Sequence, residues 1–313
     1  MSTLNPYCAL IIVVTSAFFL HYLQRVFISK GKFDKRNIRS SHNTVATRSG
    51  GLAIFLTIFL VSTYFYLNNL EVFDFSIIVP LMLLVVVGLY DDVYNMDFKL
   101  KFIFQIIAAK IFIDNGLIIE NLHGVFGVYE LGRILAQLLT IFIILSIINA
   151  INFIDGIDGL ALSIVILFLI SFESFASSYS PFIVFTQIVV LTLIPLFYFN
   201  FRSKNKIFLG DSGSLFLGGL VSAYVIFILS NNYIIKAEFD LHKILFVFSI
   251  LIYPIVDITR VFFLRLYNKK SPFQADKNHI HHLLLNKTNS HFITSLILTL
   301  SSLIFLIFFQ IIF

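Results

Sequence analysis

The sequence predicts an all-α polytopic integral membrane protein of about ten transmembrane helices, and three observations carry that prediction. Of 313 residues, 58% are hydrophobic and only 12% are charged, against about 25% charged in soluble domains. The mean hydropathy is +0.94. The apolar residues also gather into ten runs, near 7–28, 50–67, 76–90, 102–114, 133–150, 160–174, 182–199, 215–230, 243–260 and 293–312. A hydrocarbon core of about 30 Å takes about 20 such residues per helix. The first run lacks a basic n-region and continues as a full span, so it reads as a span and not as a cleaved signal. The fourth is short and carries Lys110. The single cysteine, Cys8, excludes an internal disulfide and argues against cysteine-based metal binding or nucleophilic chemistry.

Lys and Arg fall unevenly between the runs. Segments 29–48, 91–101, 200–214 and 260–292 hold 17 of the 22, whereas the alternate connections hold one, Lys236. The positive-inside rule makes the first set cytoplasmic and puts both termini on the extracytoplasmic side. The net charge of +5 therefore bears on topology first and on anionic ligands second, and nucleic acid is not an expected partner. Segment 115–132, with Gly124 and Gly127 between aromatic and branched residues, is a candidate small hairpin. With no repeats or linkers, 1–313 reads as one domain whose polar loops 29–49, 91–101, 149–159, 200–214 and 261–292 share the cytoplasmic face.

Five polar clusters interrupt the apolar pattern at that face. RSSHNTVATRSGG sets Arg39, His42, Arg48, Gly50 and Gly51 before the second run, as topology determinants or as groups that meet a lipid phosphate leaving the bilayer. GLYDDVYNM places Asp91 and Asp92 at the end of the third; adjacent carboxylates raise each other's pKa and suit a general base, a Mg²⁺ ligand or a solvated loop start. NAINFIDGIDG spaces Asn149, Asn152, Asp155 and Asp158 by three, which on a helix or tight turn gathers them on one face. A carboxylate deep in a bilayer costs about 2.5–3.5 kcal/mol on insertion scales, so such groups face a site, a pathway or a partner, unless the segment is a solvated loop.

FLGDSGSLFLGG sets Asp211 between Gly210 and Ser212 before the eighth run, where backbone N–H groups attract phosphate and a carboxylate can hold a bridging metal; Asp-Ser-Gly also reads as a helix N-cap. KNHIHHLL carries His279, His281 and His282 near Arg260, Arg265 and Lys277. Without cysteines or a second histidine cluster, hydrogen bonds to a pyrophosphate fit these rings better than zinc does.

Together the pieces RSSH…TRSGGLAIF, GLYDDVYNM, NAINFIDGIDGLA, FLGDSGSLFLGG and SPFQADKNHIHHLLL run in family order over residues 39–285. The chain thereby resembles the polyprenyl-phosphate N-acetylhexosamine-1-phosphate transferases, the group that includes MraY and WecA, and more closely the WecA-like bacterial branch. The resemblance implies transfer of a sugar-1-phosphate, N-acetylglucosamine-1-phosphate by default, from a UDP-sugar to undecaprenyl phosphate. UMP is released, and the lipid product initiates cell-envelope polysaccharide such as O-antigen. Another UDP-N-acetylhexosamine or the muramoyl-pentapeptide donor is the alternative.

The resemblance also implies a bacterial inner-membrane location and Mg²⁺ or Mn²⁺ held by Asp211 and Asn152. Asp91 and Asp92 would bind or deprotonate the acceptor or help hold the metal, and Asp155 and Asp158 would support the nucleotide side. Arg48, Asn149, His279, His281 and His282 would contact substrate, and a homodimer is compatible. One departure is Thr47, where family members often carry proline before the arginine. The acceptor would enter sideways, between the third and ninth runs. A cation-coupled transporter using Asp155 and Asp158 is the rival class; the boundary position of every acidic motif, with no inverted repeat and no interrupted helix pair in the sequence, speaks against it.

Overall fold

A computed structural model describes residues 4–32, 46–70, 72, 74–176, 180–230, 241–269 and 278–312; Arg39, His42 and Lys277 lie outside them. The described residues fold mainly as helices: α1 (Pro6–Ser29), α2 (Gly50–Leu67), α3 (Ile78–Tyr94), α4 (Phe98–Asp114), α5 (Arg133–Ile154), α6 (Leu160–Phe175), α7 (Ile183–Phe201), α8 (Gly210–Ser230), α9 (Leu241–Ile250), α10 (Ile252–Tyr267), α11 (Ile280–Thr288) and α12 (His291–Ile312). Among the described residues, seven helices are long and apolar enough to cross a membrane, eight if α9 and α10 count as one bent span. The protein is thus an all-α polytopic membrane protein. α4 and α6, at 17 and 16 residues, fall short of that length.

The run 243–260, expected as one uninterrupted span, is a correction: α9 and α10 meet at a 73° bend. Pro254 accounts for it, since it offers no N–H to the carbonyl of Ile250 and its ring crowds that carbonyl.

α8 lies at the centre, nearly every residue buried against α2, α3 and α5. Its approach to α2 needs glycine on both sides, because a Cβ on Gly51 would overlap the backbone of Gly213. α1 and α12 run on the outside and expose Leu10, Phe18, Ile304 and Phe308 as a lipid-facing surface does. At the far end of α8, segment 115–132 is the expected hairpin, with Leu122 N–H on Tyr129 O at 2.8 Å and Leu131 N–H on Glu120 O at 2.8 Å. His123 Nε2 lies 2.8 Å from Leu229 O, which satisfies one of the carbonyls left open at the end of α8.

Candidate functional site

A short parallel ladder brings two polar clusters together. Residues Ala46–Thr47 (β1) pair with Lys206–Ile207 (β2), and the pairing continues as Phe208 N–H to Thr47 O at 2.8 Å and Gly51 N–H to Leu209 O at 2.8 Å. Thr47 occupies β1, so the path of this loop is set by the ladder. Arg48 thereby lies against Gly210, the residue before Asp211. Gly210 sits at φ 72°, and a Cβ there would come within 2.7 Å of Asp92 Oδ2. Only glycine admits this turn without strain.

The acidic pair of α3 divides its work. The Asp92 side chain is fully buried and caps α8 from across the bundle: Oδ1 accepts from Asp211 N–H at 2.9 Å and Oδ2 from Ser212 N–H at 3.0 Å, with Arg48 Nη1 at 3.9 Å. The cap of α8 is therefore Asp92 and not its own Asp-Ser-Gly. Asp91 accepts from Met96 N–H at 2.6 Å and from Lys101 Nζ at 2.9 Å. Lys101 also pairs with Asp211, so one ammonium joins the two carboxylates.

The NAINFIDGIDG stripe spans the end of α5 and the turn beyond it. Asn149 turns away, giving Nδ2 to Gln105 Oε1 at 2.9 Å and to Leu145 O at 2.7 Å. Asn152 gives Nδ2 to Ser214 Oγ at 2.7 Å, which leaves its carbonyl oxygen for another partner. Asp155, the C-cap of α5, has its carboxyl pushed well above the usual range by burial first, and then by the charges of Asp211, Asp92 and Asp158, with Arg48 opposing. Asp158 is held in a buried pair with Lys206 at 2.5 Å, and its N–H meets His291 Nδ1 at 3.1 Å. Asn200 fastens the same turn, accepting from Gly159 N–H at 2.6 Å and donating to Ile207 O at 2.9 Å.

The histidines open α11. His279 Nδ1 lies 3.0 Å from Asp257 Oδ2, and His281 Nδ1 lies 3.4 Å from the same oxygen and 2.8 Å from the Tyr253 hydroxyl. Burial holds His281 below its ordinary pKa against the pull of Asp257. These three residues offer donor atoms within 4.8 Å of one another, a set the histidine spacing alone did not reveal.

The groups enclose a cleft of about 390 Å³ lined by Arg48, Asn152, Phe153, Asp155, Asp158, Asn200, Asp211, Arg265, His279 and His282, among others. Seven of the eleven sequence-derived candidates line it; Asp91, Asp92, Asn149 and His281 stand behind the wall. Lys101, Asn200, Lys206 and Asp257 were missed. Lys101 and Gln105, one turn apart on an apolar helix, and Asp257 inside an apolar run were the available signals.

Carboxylates, amides, arginines and imidazoles gathered in one cleft at the end of an apolar helix bundle define a polytopic membrane protein with a polar site of mixed charge. The chain belongs to glycosyl transferase family 4, whose profile matches residues 74–229. It is 33% identical over 289 residues, covering 90% of this chain and 78% of the relative, to a Bacillus subtilis protein named "probable undecaprenyl-phosphate N-acetylglucosaminyl 1-phosphate transferase". It is 32% identical to the Thermotoga maritima undecaprenyl-phosphate alpha-N-acetylglucosaminyl 1-phosphate transferase, covering 92% and 85%. It is 30% identical to a Mycobacterium tuberculosis decaprenyl-phosphate N-acetylglucosaminephosphotransferase, covering 81% and 69%.

Proposed function

We propose that this chain transfers N-acetylglucosamine-1-phosphate from UDP-N-acetylglucosamine to undecaprenyl phosphate, releasing UMP and forming a lipid diphosphate-sugar. The observation that carries the reading is the cleft itself, which Asp211, Asp155 and Asn152 line together with Arg48, Arg265, His279 and His282. An oxygen of the polyprenyl phosphate attacks the sugar-bearing phosphorus, the bond to the bridging oxygen breaks, and UMP leaves with the electron pair. Arg48 and Arg265 bind phosphate oxygens, His279 and His282 hold the donor diphosphate, and Phe153, Asn200 and Asp158 bound the same space. Asp91 and Lys101 position Asp211, and Asp92 holds the start of α8 through the Asp211 and Ser212 N–H groups.

The donor set fits Mg²⁺. Asp211, Asp155 and the carbonyl of Asn152 offer hard oxygen donors to the cleft, and Asn152 has its nitrogen engaged by Ser214. When bound, the ion supplies charge screening between the two anions and stabilises the leaving UMP. Asp211 and Asn152 would hold it.

The site would open to the cytoplasm of a bacterial inner membrane, with ten spans and both termini outside. In support, the loops at this end of the bundle carry 17 of the 22 Lys and Arg. The acceptor would enter from the side of one transferase domain spanning 1–313. Supplied with undecaprenyl phosphate, Mg²⁺ and UDP-N-acetylglucosamine, the purified chain should release UMP. Release of UDP would mean attack at the anomeric carbon and would remove the reading. UMP with only another UDP-sugar would change the donor and leave the reaction.

A further inference from the structure

Asp257 is a buried carboxylate behind the cleft wall, against His279, to which the proposed reaction gives no task. It lies on α10, just past the bend. Its Oδ1 accepts from Ile280 N–H at 2.8 Å, which satisfies the first free donor of α11, and its Oδ2 lies 3.0 Å from His279 Nδ1 and 3.4 Å from His281 Nδ1. An ionised carboxylate only accepts hydrogen bonds, so His279 Nδ1, hydrogen-bonded to it, carries the proton, whereas the hydrogen bond of His281 Nδ1 is with the Tyr253 hydroxyl at 2.8 Å. The two rings stack on each other with centroids 5.2 Å apart and 13° between planes, and Phe153 of α5 stacks on the other face of His279 at 5.6 Å and 24°. His281 Nε2 is buried with no hydrogen-bond partner. Of the stacked pair, His279 lines the cleft and His281 backs it.

We propose that Asp257 is a positioning residue for the transfer: it fixes the Nδ1–H tautomer and plane of His279 and the start of α11, so that His279 meets the donor diphosphate through Nε2. The inference rests on the proposed reaction. Carboxylates that orient a working histidine through its second nitrogen are a recurring device, and their loss typically costs about 10- to 100-fold. Asparagine at this position can accept from Ile280 or from His279, but not from both with equal geometry, so it should restore part of the loss.

The test uses the full chain in nanodiscs with Asp257→Ala and Asp257→Asn. UMP release is measured with each substrate varied, and ¹⁵N-histidine spectra are assigned through His279→Gln and His281→Gln. We expect kcat/KM for UDP-N-acetylglucosamine to fall about 10- to 100-fold in Asp257→Ala and less in Asp257→Asn. The KM for undecaprenyl phosphate should stay within about twofold, and the Nδ1–H signal of His279 should be lost in Asp257→Ala. If Asp257→Ala does not fold, a donor-specific loss in Asp257→Asn supports the proposal and its absence overturns it. Wild-type kinetics, an unchanged His279 tautomer, an equal loss for both substrates with a lowered Tm, or stoichiometric zinc in the wild-type protein would each overturn the proposal. If the wild type releases UDP, the reaction is wrong, while the spectra still decide whether Asp257 sets the His279 ring.

Discussion

At the scale of single residues, charge is conserved by pairing rather than by exposure. Asp211 is the carboxylate that both faces the cleft and belongs to the Lys101 network, so Asp211→Asn should cut turnover by about 100-fold or more while the protein still inserts and purifies. UMP release across a Mg²⁺ titration checks this; activity near wild type at every concentration would remove the metal role. Lys206 and Asp158 are a different case, each only 7% exposed in its side chain, and neither can be charged alone without cost. Lys206→Met should lose about 3–5 kcal/mol, read as a lowered midpoint in thermal melts followed by circular dichroism. Adding Asp158→Leu should recover most of it, since the penalty comes from the stranded charge. A single variant as stable as wild type would show that the pair contributes nothing.

At the scale of elements, the site depends on helix ends held by partners from other helices. α8 starts at Gly210 and takes its cap from Asp92 on α3, and α11 takes its first acceptor from Asp257 on α10. Gly210→Ala tests the first of these joints. The new methyl must sit at φ 72° and within 2.7 Å of Asp92 Oδ2, which should cost about 1–3 kcal/mol and displace Asp211 with it. The expected outcome is a lower melting midpoint together with a higher Mg²⁺ requirement, and a variant matching wild type in both would sink the argument. The bend at Leu251 belongs here too: periodicity alone drew one span through 243–260, and the proline inside it was the local sign that the span would break.

At the scale of the whole molecule, described residues from four of the polar connections, Arg48, Asp155, Asp211 and His279 among them, converge on one cleft at one end of the bundle. Topology is the direct check. In a chain with Cys8→Ser, a cysteine at Ser203 should react only with reagent applied from the cytoplasmic side, and one at Leu70 only from outside; both positions are exposed. Reversed labelling at Ser203 would put the cleft where no UDP-sugar is supplied. The sequence by itself determined the helical membrane fold, the runs that became helices and seven residues of the cleft wall, because hydropathy and local spacing are properties of neighbours along the chain. It also marked Asp91 and Asp92 as chemically unusual. The tertiary structure alone decided that Asp92 caps α8, that Lys101 joins Asp91 to Asp211, that Asn149 turns to Gln105, and that Asp257 gathers His279 and His281. Each of these is a contact between separate helices, set by how they pack and not by spacing along one of them, and a buried charge takes whichever partner the packing brings within reach.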